Sequence, residues 1–245
     1  ENAGASSARN YALGKIEAEE WISFVDADDY LAPSMYESIF KSIGSKDVDY
    51  VRLYNTRTSQ RYNPDVFVNN DTKAICCKVV TREEYFINEN VGGCTHSLFV
   101  KASIVKEHDL TFCKDMIMLE DQAFSISCAT YTKNILVLEQ PRNDFYFSGN
   151  ESCITRNCKN TSDDIVRCVN IVYQAFIDTQ SNDIISKYFY KKYLPIKLDS
   201  LCGNLLHYRD TKLTERFLPE IRISMKHLAW KAKVKYVVIK LLRLL

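Results

Sequence analysis

Apolar positions Ala8, Ala12, Leu13 and Ile16 recur at helical spacing between Ala5 and about Glu19, and Gly4 ahead of them suits a tight helix entry. The run Trp21-Ile22-Ser23-Phe24-Val25 then predicts a short buried strand. Pro33 stands where a first helical turn tolerates proline, and Met35, Ile39, Phe40 and Ile43 form an apolar stripe ended by Gly44. A second strand is predicted from Val48 to Tyr54. Helix, strand, helix, strand is the alternation of a parallel α/β sheet.

Between Asn55 and Val80 the pattern becomes short and polar, with Asn63-Pro64 and Asn69-Asn70-Asp71 marking turns around Val66-Phe67-Val68, as in an insertion or lid-bearing hairpin. Thr81 and Glu84 form a capping box for a short helix, and Leu119 to about Tyr131 reads as a further helix opening on Glu120 and Asp121. Strands are predicted at Ile135–Leu138 and Asp144–Phe147. Beyond about Asn160 only helical periodicity remains: Ile165, Val169, Val172, Tyr173 and Phe176 follow the acidic turn Asp163-Asp164, and Pro195 and Pro219 break or kink the later stretches. The expected division is a catalytic-type α/β domain over 1–158 and a helical region over 159–245.

Charge changes this picture little. Thirty-two basic and thirty-one acidic residues leave a formal charge of +1, which gives no whole-molecule argument for a nucleic-acid partner. Nine cysteines, odd in number and without any Cys-x-x-Cys, match neither a zinc site nor a disulfide framework and fit reduced thiols in a cytoplasmic setting. No apolar stretch approaches the ~18 residues of a membrane span.

The candidate chemistry lies in two acidic groups. Asp26-Ala27-Asp28-Asp29 follows the first strand, and crowded carboxylates there need a cation to offset their repulsion. In an extended segment Asp26 and Asp28 face the same way, and magnesium or manganese prefers such oxygen donors while keeping waters and substrate phosphates as further ligands. The plainer alternative is that Asp28 or Asp29 caps the following helix. Glu120-Asp121 is by itself an ordinary helix-start feature, or a general base toward a hydroxyl.

Taken together in order, these pieces resemble family-2 inverting glycosyltransferases of the nucleotide-diphospho-sugar transferase fold. The resemblance rests on Asn2-x-Gly4-x-x-x-Ala8-Arg9-Asn10, on Asp26-Ala27-Asp28-Asp29, and on Ser97-Leu98-Phe99-Val100-Lys101. Farther along it includes Phe112 with Leu119-Glu120-Asp121-Gln122-Ala123-Phe124, then Phe145-Tyr146-Phe147 and Ser152-Cys153-Ile154-Thr155, so that about residues 1–156 are covered. It implies a Rossmann-like, mostly parallel sheet followed by a helical appendage. It further implies that Asp28 coordinates a magnesium or manganese ion on the diphosphate, with Asp26 at the ribose or in the metal shell. Asp121 becomes the catalytic base and Glu120 orients the acceptor or the loop. Asn2, Arg9, Asp29 and His96 fall at substrate-binding positions. The donor is a nucleotide-diphosphate sugar, the acceptor a saccharide or lipid-linked hydroxyl, and the product a single sugar transferred with inversion in cell-envelope polysaccharide or glycolipid synthesis.

Some residues depart from the pattern. Ala12 and Ala18 replace usual glycines, His96 and Ser97 replace an asparagine-lysine pair, and the Gln-x-x-Arg-Trp motif of processive members is absent. The family's first strands precede the Asn-x-Gly segment at which this chain starts, so the expectation is an N-terminally truncated piece that binds sugar nucleotide weakly and exposes a sheet edge. A strand followed by Asp-x-Asp also suits a haloacid-dehalogenase-like phosphatase using Asp26 and Asp28, although Tyr30 stands where that family places Thr or Val. The remaining alternative is an inert module binding a membrane or partner. Its motif is the tail 221–245, which has seven Lys or Arg and no acid; Arg222, Lys226, Lys233 and Lys240 share a stripe, while Lys231 and Lys235 lie opposite. Peripheral contact with the inner face of the plasma membrane and plain packing on the catalytic domain are both open on this pattern.

Overall fold

The computed structural model describes residues 3–27, 29–31, 34–53, 56–58, 76–88, 91, 98–138, 144–147, 162–179, 188–208 and 230–241. The first predicted helix is α1 (Gly4–Leu13), entered through Gly4 at φ +83°. It stops short of Glu19 because the Gly14 and Lys15 N–H groups turn back onto the Asn10 and Ala12 carbonyls. Strand β1 (Trp21–Ser23) and the two-residue β2 (Tyr30–Leu31) flank the acidic segment. Helix α2 (Met35–Ile43) buries Met35, Ile39 and Ile43 and ends at Gly44, whose φ of +50° suits a residue without Cβ.

Next come β3 (Tyr50–Arg52), β4 (Thr56–Thr58), β5 (Cys77–Thr81) and α3 (Arg82–Asn88). The predicted capping box is formed in full. The Glu84 N–H donates to Thr81 Oγ1 at 3.2 Å, and the Thr81 N–H donates to Glu84 Oε2 at 2.9 Å. Strand β6 (Leu98–Lys101) and α4 (Ala102–Glu107) come next, and α5 (Glu120–Tyr131), β7 (Asn134–Leu138) and β8 (Asp144–Phe147) follow at or near their predicted places. The turns around Asn63-Pro64, the run Val66-Phe67-Val68 and Pro219 lie outside the described residues.

The main sheet has the order β1-β6-β3-β7-β5, and a smaller one the order β2-β8-β4. The expected Rossmann-like, mostly parallel sheet is corrected here. Only β3 and β7 pair in parallel in the main sheet, whereas β1 with β6, β6 with β3, and β7 with β5 are antiparallel. The sheet is mixed and mostly antiparallel because β6 inserts between β1 and β3 in the reverse sense. Those two strands still run the same way, joined across α2, as the local alternation requires.

Burial on both faces explains why the strands read as continuous apolar runs. Tyr50, Leu98, Val100, Ile135 and Val137 point into one core with α4 and α5. Val51, Phe99, Leu136 and Leu138 alternate into a second core under α2. The first core continues without a break into the C-terminal helices α6 (Ser162–Asp178), α7 (Leu194–Tyr208) and α8 (Trp230–Leu241), of which Val169, Val172, Leu198 and Ala232 are buried members. Helix α7 is entered through a π-helical turn, Phe189–Tyr193. Pro195 offers no N–H to the Lys191 carbonyl, and the wider turn before it absorbs that break.

Candidate active site

Helix α1 is pinned to the segment before α5 by one side chain. Asn10 Nδ2 donates to the Phe112 carbonyl, and the Phe112 N–H donates to Asn10 Oδ1, each at 2.8 Å. This pairing aims the neighbouring Arg9 between the two acidic groups. Arg9 donates to Asp26 Oδ1 at 2.9 Å and to Glu120 Oε1 at 3.0 Å, so one guanidinium joins carboxylates that lie far apart in sequence. Arg9 and Glu120 keep only 16% and 15% of their side-chain surface exposed, whereas Asp26 keeps 44% and opens to solvent.

The floor beneath these charges is aromatic. Phe112 and Phe124 stack at 4.1 Å, Phe24 meets both edge-on at 5.2 and 5.8 Å, and the Arg9 guanidinium lies 5.3 Å from the Phe112 ring. Helix α5 begins directly above. Its first residues are set by Leu119, which adopts φ +69°, a left-handed conformation costly for a bulky residue and held only where its surroundings enforce it. Part of that enforcement comes from α6, where the buried Asp164 accepts the Ile117 N–H at 3.2 Å.

Asp121 is the chemically distinctive member. Burial and the adjacent Glu120 carboxylate push its carboxyl up to about 6, against weaker opposing effects of the Gln122 N–H, 2.7 Å away, and of Arg9. A carboxylate with a proton affinity near neutrality, seated on a dry floor beside an open acidic mouth, can accept a proton from a hydroxyl.

Residues 1–104 match the family model described as glycosyl transferase family 2. Solved structures of S. aureus TarS share the fold across nearly the whole chain. TarS 1–349 in complex with UDP-GlcNAc aligns with a TM-score of 0.60 at 14% identity, over 97% of this chain and 60% of that one. The same protein in complex with UDP gives 0.56 at 15% identity, over 92% and 56%. The chain has a family-2-like glycosyltransferase fold. It spans about 60% of the TarS 1–349 chain and 40% of a longer TarS chain. No curated protein matches its sequence.

Within this glycosyltransferase fold, four of the residues expected at the site, Arg9, Asp26, Glu120 and Asp121, converge. Asp29 belongs to the same turn, its N–H donating to the Asp26 carbonyl at 3.0 Å. Asn2, Asp28 and His96 lie outside the described residues. Among the described residues no group of three His, Cys, Asp or Glu side chains is placed to hold a metal ion. The donor chemistry nonetheless fits magnesium or manganese. Asp26 offers a carboxylate oxygen at the solvent-facing mouth that is only partly engaged by Arg9, and the sequence sets a second carboxylate two residues on.

Sequence reasoning missed what the helical region contributes around these residues. Asp164 reads as helix-start charge, yet it ties down the loop before α5. Lys197 escaped notice altogether, although Leu194, Lys197, Leu198 and Leu201 fall on one helical face and place a lysine at a core position, where it is only 7% exposed.

Proposed function

We propose that this chain carries the catalytic centre of a metal-dependent inverting glycosyltransferase of family 2, moving one sugar from a nucleotide-diphosphate donor to an acceptor hydroxyl. The observation that carries the reading is the bridging of Asp26 to Glu120 by Arg9, which sets a proton-accepting Asp121 at the edge of an acidic, solvent-open mouth. Asp121 takes the proton from the acceptor oxygen as that oxygen attacks the anomeric carbon from the face opposite the diphosphate. Glu120, fixed by Arg9, keeps the start of α5 in register with the acceptor. Asp28 and Asp26 would hold magnesium or manganese, and the bound ion would neutralise charge on the departing diphosphate.

The crystal structure of TarS holds UDP-GlcNAc, which supports a nucleotide-sugar donor here. Asn2, Asp29 and His96 complete the donor and acceptor contacts in this reading. Peripheral attachment to a membrane surface is supported by α8, whose Trp230, Val234 and Val237 are exposed on one face. No helix among the described residues is long and apolar enough to cross a membrane.

The test is hydrolysis and transfer from a panel of nucleotide-diphosphate sugars with magnesium or manganese. Release of nucleoside diphosphate that is lost on chelation, and transfer lost in Asp121→Asn, are expected. Turnover that is indifferent to both would overturn the proposal, and hydrolysis of an aryl phosphate instead would favour the phosphatase chemistry of a strand followed by Asp-x-Asp.

A further inference from the structure

Helix α1 carries Arg9 yet has little hydrophobic anchorage. Of its ten residues only Ser6 and Leu13 are buried, about two turns apart on one narrow line, while Tyr11 stands 72% exposed. A single line of contact fixes where a helix lies but leaves it free to roll about its axis. The roll is set instead by two successive side chains that land on one residue. The Asn10 amide exchanges two 2.8 Å hydrogen bonds with the Phe112 backbone, and the Arg9 guanidinium lies 5.3 Å from the centre of the Phe112 ring. Successive side chains leave a helix about 100° apart, so a residue held by both admits one rotation of α1.

Asparagine suits this task because its planar amide offers a donor and an acceptor together. It pairs with both backbone groups of Phe112 much as a neighbouring strand would. Aspartate would lack the donor, and alanine would leave both groups unmet. Phe112 is a firm anchor, 1% exposed and stacked on Phe124 at 4.1 Å. Phe124 stands one turn past Asp121 on α5, so the anchor packs on the helix that carries Glu120 and the base.

The rotation of α1 decides where Arg9 points. A roll of about 20° moves the helix surface by about 2 Å, well beyond the few tenths of an ångström that a hydrogen bond tolerates. Arg9 can follow such a roll toward one carboxylate, but its planar fork cannot keep both Asp26 and Glu120. We infer that Asn10 is a positioning residue for Arg9: its amide locks the rotation of α1, and that lock holds Asp26 and Glu120 on one guanidinium. The consequence for transfer rests on the glycosyltransferase reading, whereas the lock itself does not.

The first test needs no catalysis. Guanidinium signals are followed by NMR on arginine-labelled protein, that of Arg9 being assigned by its loss in Arg9→Lys. In the wild-type chain the bridge slows exchange of the Arg9 guanidinium hydrogens with water. In Asn10→Ala they should exchange about tenfold faster or more, the fold-change for one charge-assisted bond released. Equal exchange in a folded Asn10→Ala variant overturns the inference, whatever the transfer assays show. Where that variant does not fold, Asn10→Ser, whose shorter hydroxyl cannot span both Phe112 groups, is read in the same way. The second test is a double-mutant cycle on the kcat of nucleoside diphosphate release from the donor panel with manganese. Asn10→Ala and Arg9→Gln each lower kcat, and the double variant falls no further than Arg9→Gln alone, because Asn10 acts through Arg9. Two losses that multiply overturn the inference. If the wild-type chain turns over no donor, the glycosyltransferase reading fails, and the exchange measurement still decides whether Asn10 holds Arg9.

Discussion

At Asp121 function and stability pull in opposite directions. Its carboxyl is raised from 3.8 to about 6 in the folded chain, chiefly by burial and then by Glu120. The folded state therefore prefers the protonated form. No penalty exists below the unfolded value; it builds as pH rises from about 4 to 6 and is complete above that, at roughly 3 kcal/mol for a shift of this size. Asp121→Asn should abolish transfer and, at pH 8, raise the melting temperature above wild type, an advantage that shrinks to nothing by pH 4. Melts of the two proteins across that range check the sign, and a variant less stable at pH 8 contradicts it. Catalysis runs the other way, rising through an apparent value near 6 as the base ionises. Arg9 obeys a different logic, because its planar fork serves two carboxylates at once. Arg9→Lys keeps the charge but not the bridge. It should cost about 1–3 kcal/mol in urea unfolding, as one charge-assisted bond is left unmade, and should lower kcat well beyond any change at neutral surface sites.

The elements divide into those that local chemistry specifies and those that it does not. The capping box at Thr81 and Glu84 and the stop of α2 at Gly44 were legible because each depends on residues a few positions apart. The end of α1 was overrun by six residues, since Ile16 continues the helical spacing while the backbone turns at Gly14 and Lys15. The loop before α5 was legible only as a gap. Its shape comes from the left-handed Leu119 and from Asp164, 47 residues beyond Ile117, and no nearby pattern announces that bond. Asp164→Ala should loosen this loop. The expected result is faster amide exchange at Ile117 and a fall in kcat of about tenfold or more with donor KM little altered, because the lost bond misplaces the base without touching the donor. Thr81→Ala supplies the control: loss of that exposed cap costs about 1 kcal/mol and leaves kcat unchanged.

Across the whole molecule, strand direction was the least legible property. A run such as Ile135-Leu136-Val137-Leu138 records burial on two faces, but the sense of its neighbours is decided by β6, which arrives from far along the chain and inserts between β1 and β3. The tail was ambiguous for a related reason, because an amphipathic helix does not state which face its fold will take. In α8 the division is now fixed. Ala232 is buried, Lys235 pairs with Asp199 of α7, and Trp230, Val234 and Val237 face outward at 77%, 43% and 42% exposure, with Lys231 and Lys233 on either side. Packing on the domain takes one face of the helix, and the proposed membrane contact would use the other. Three exposed apolar side chains supply a few kcal/mol of interfacial burial, and each nearby lysine adds about 1 kcal/mol at an anionic surface. Such attachment is weak, reversible and screened by salt. Flotation with vesicles of anionic phospholipid should recover the chain at low ionic strength, and recovery should fall both in half-molar salt and in the Trp230→Glu, Val234→Glu double variant. The substituted side chains are exposed, so the fold and any donor hydrolysis should remain as in wild type. Flotation indifferent to both treatments would assign the outer face of α8 to something other than a lipid surface.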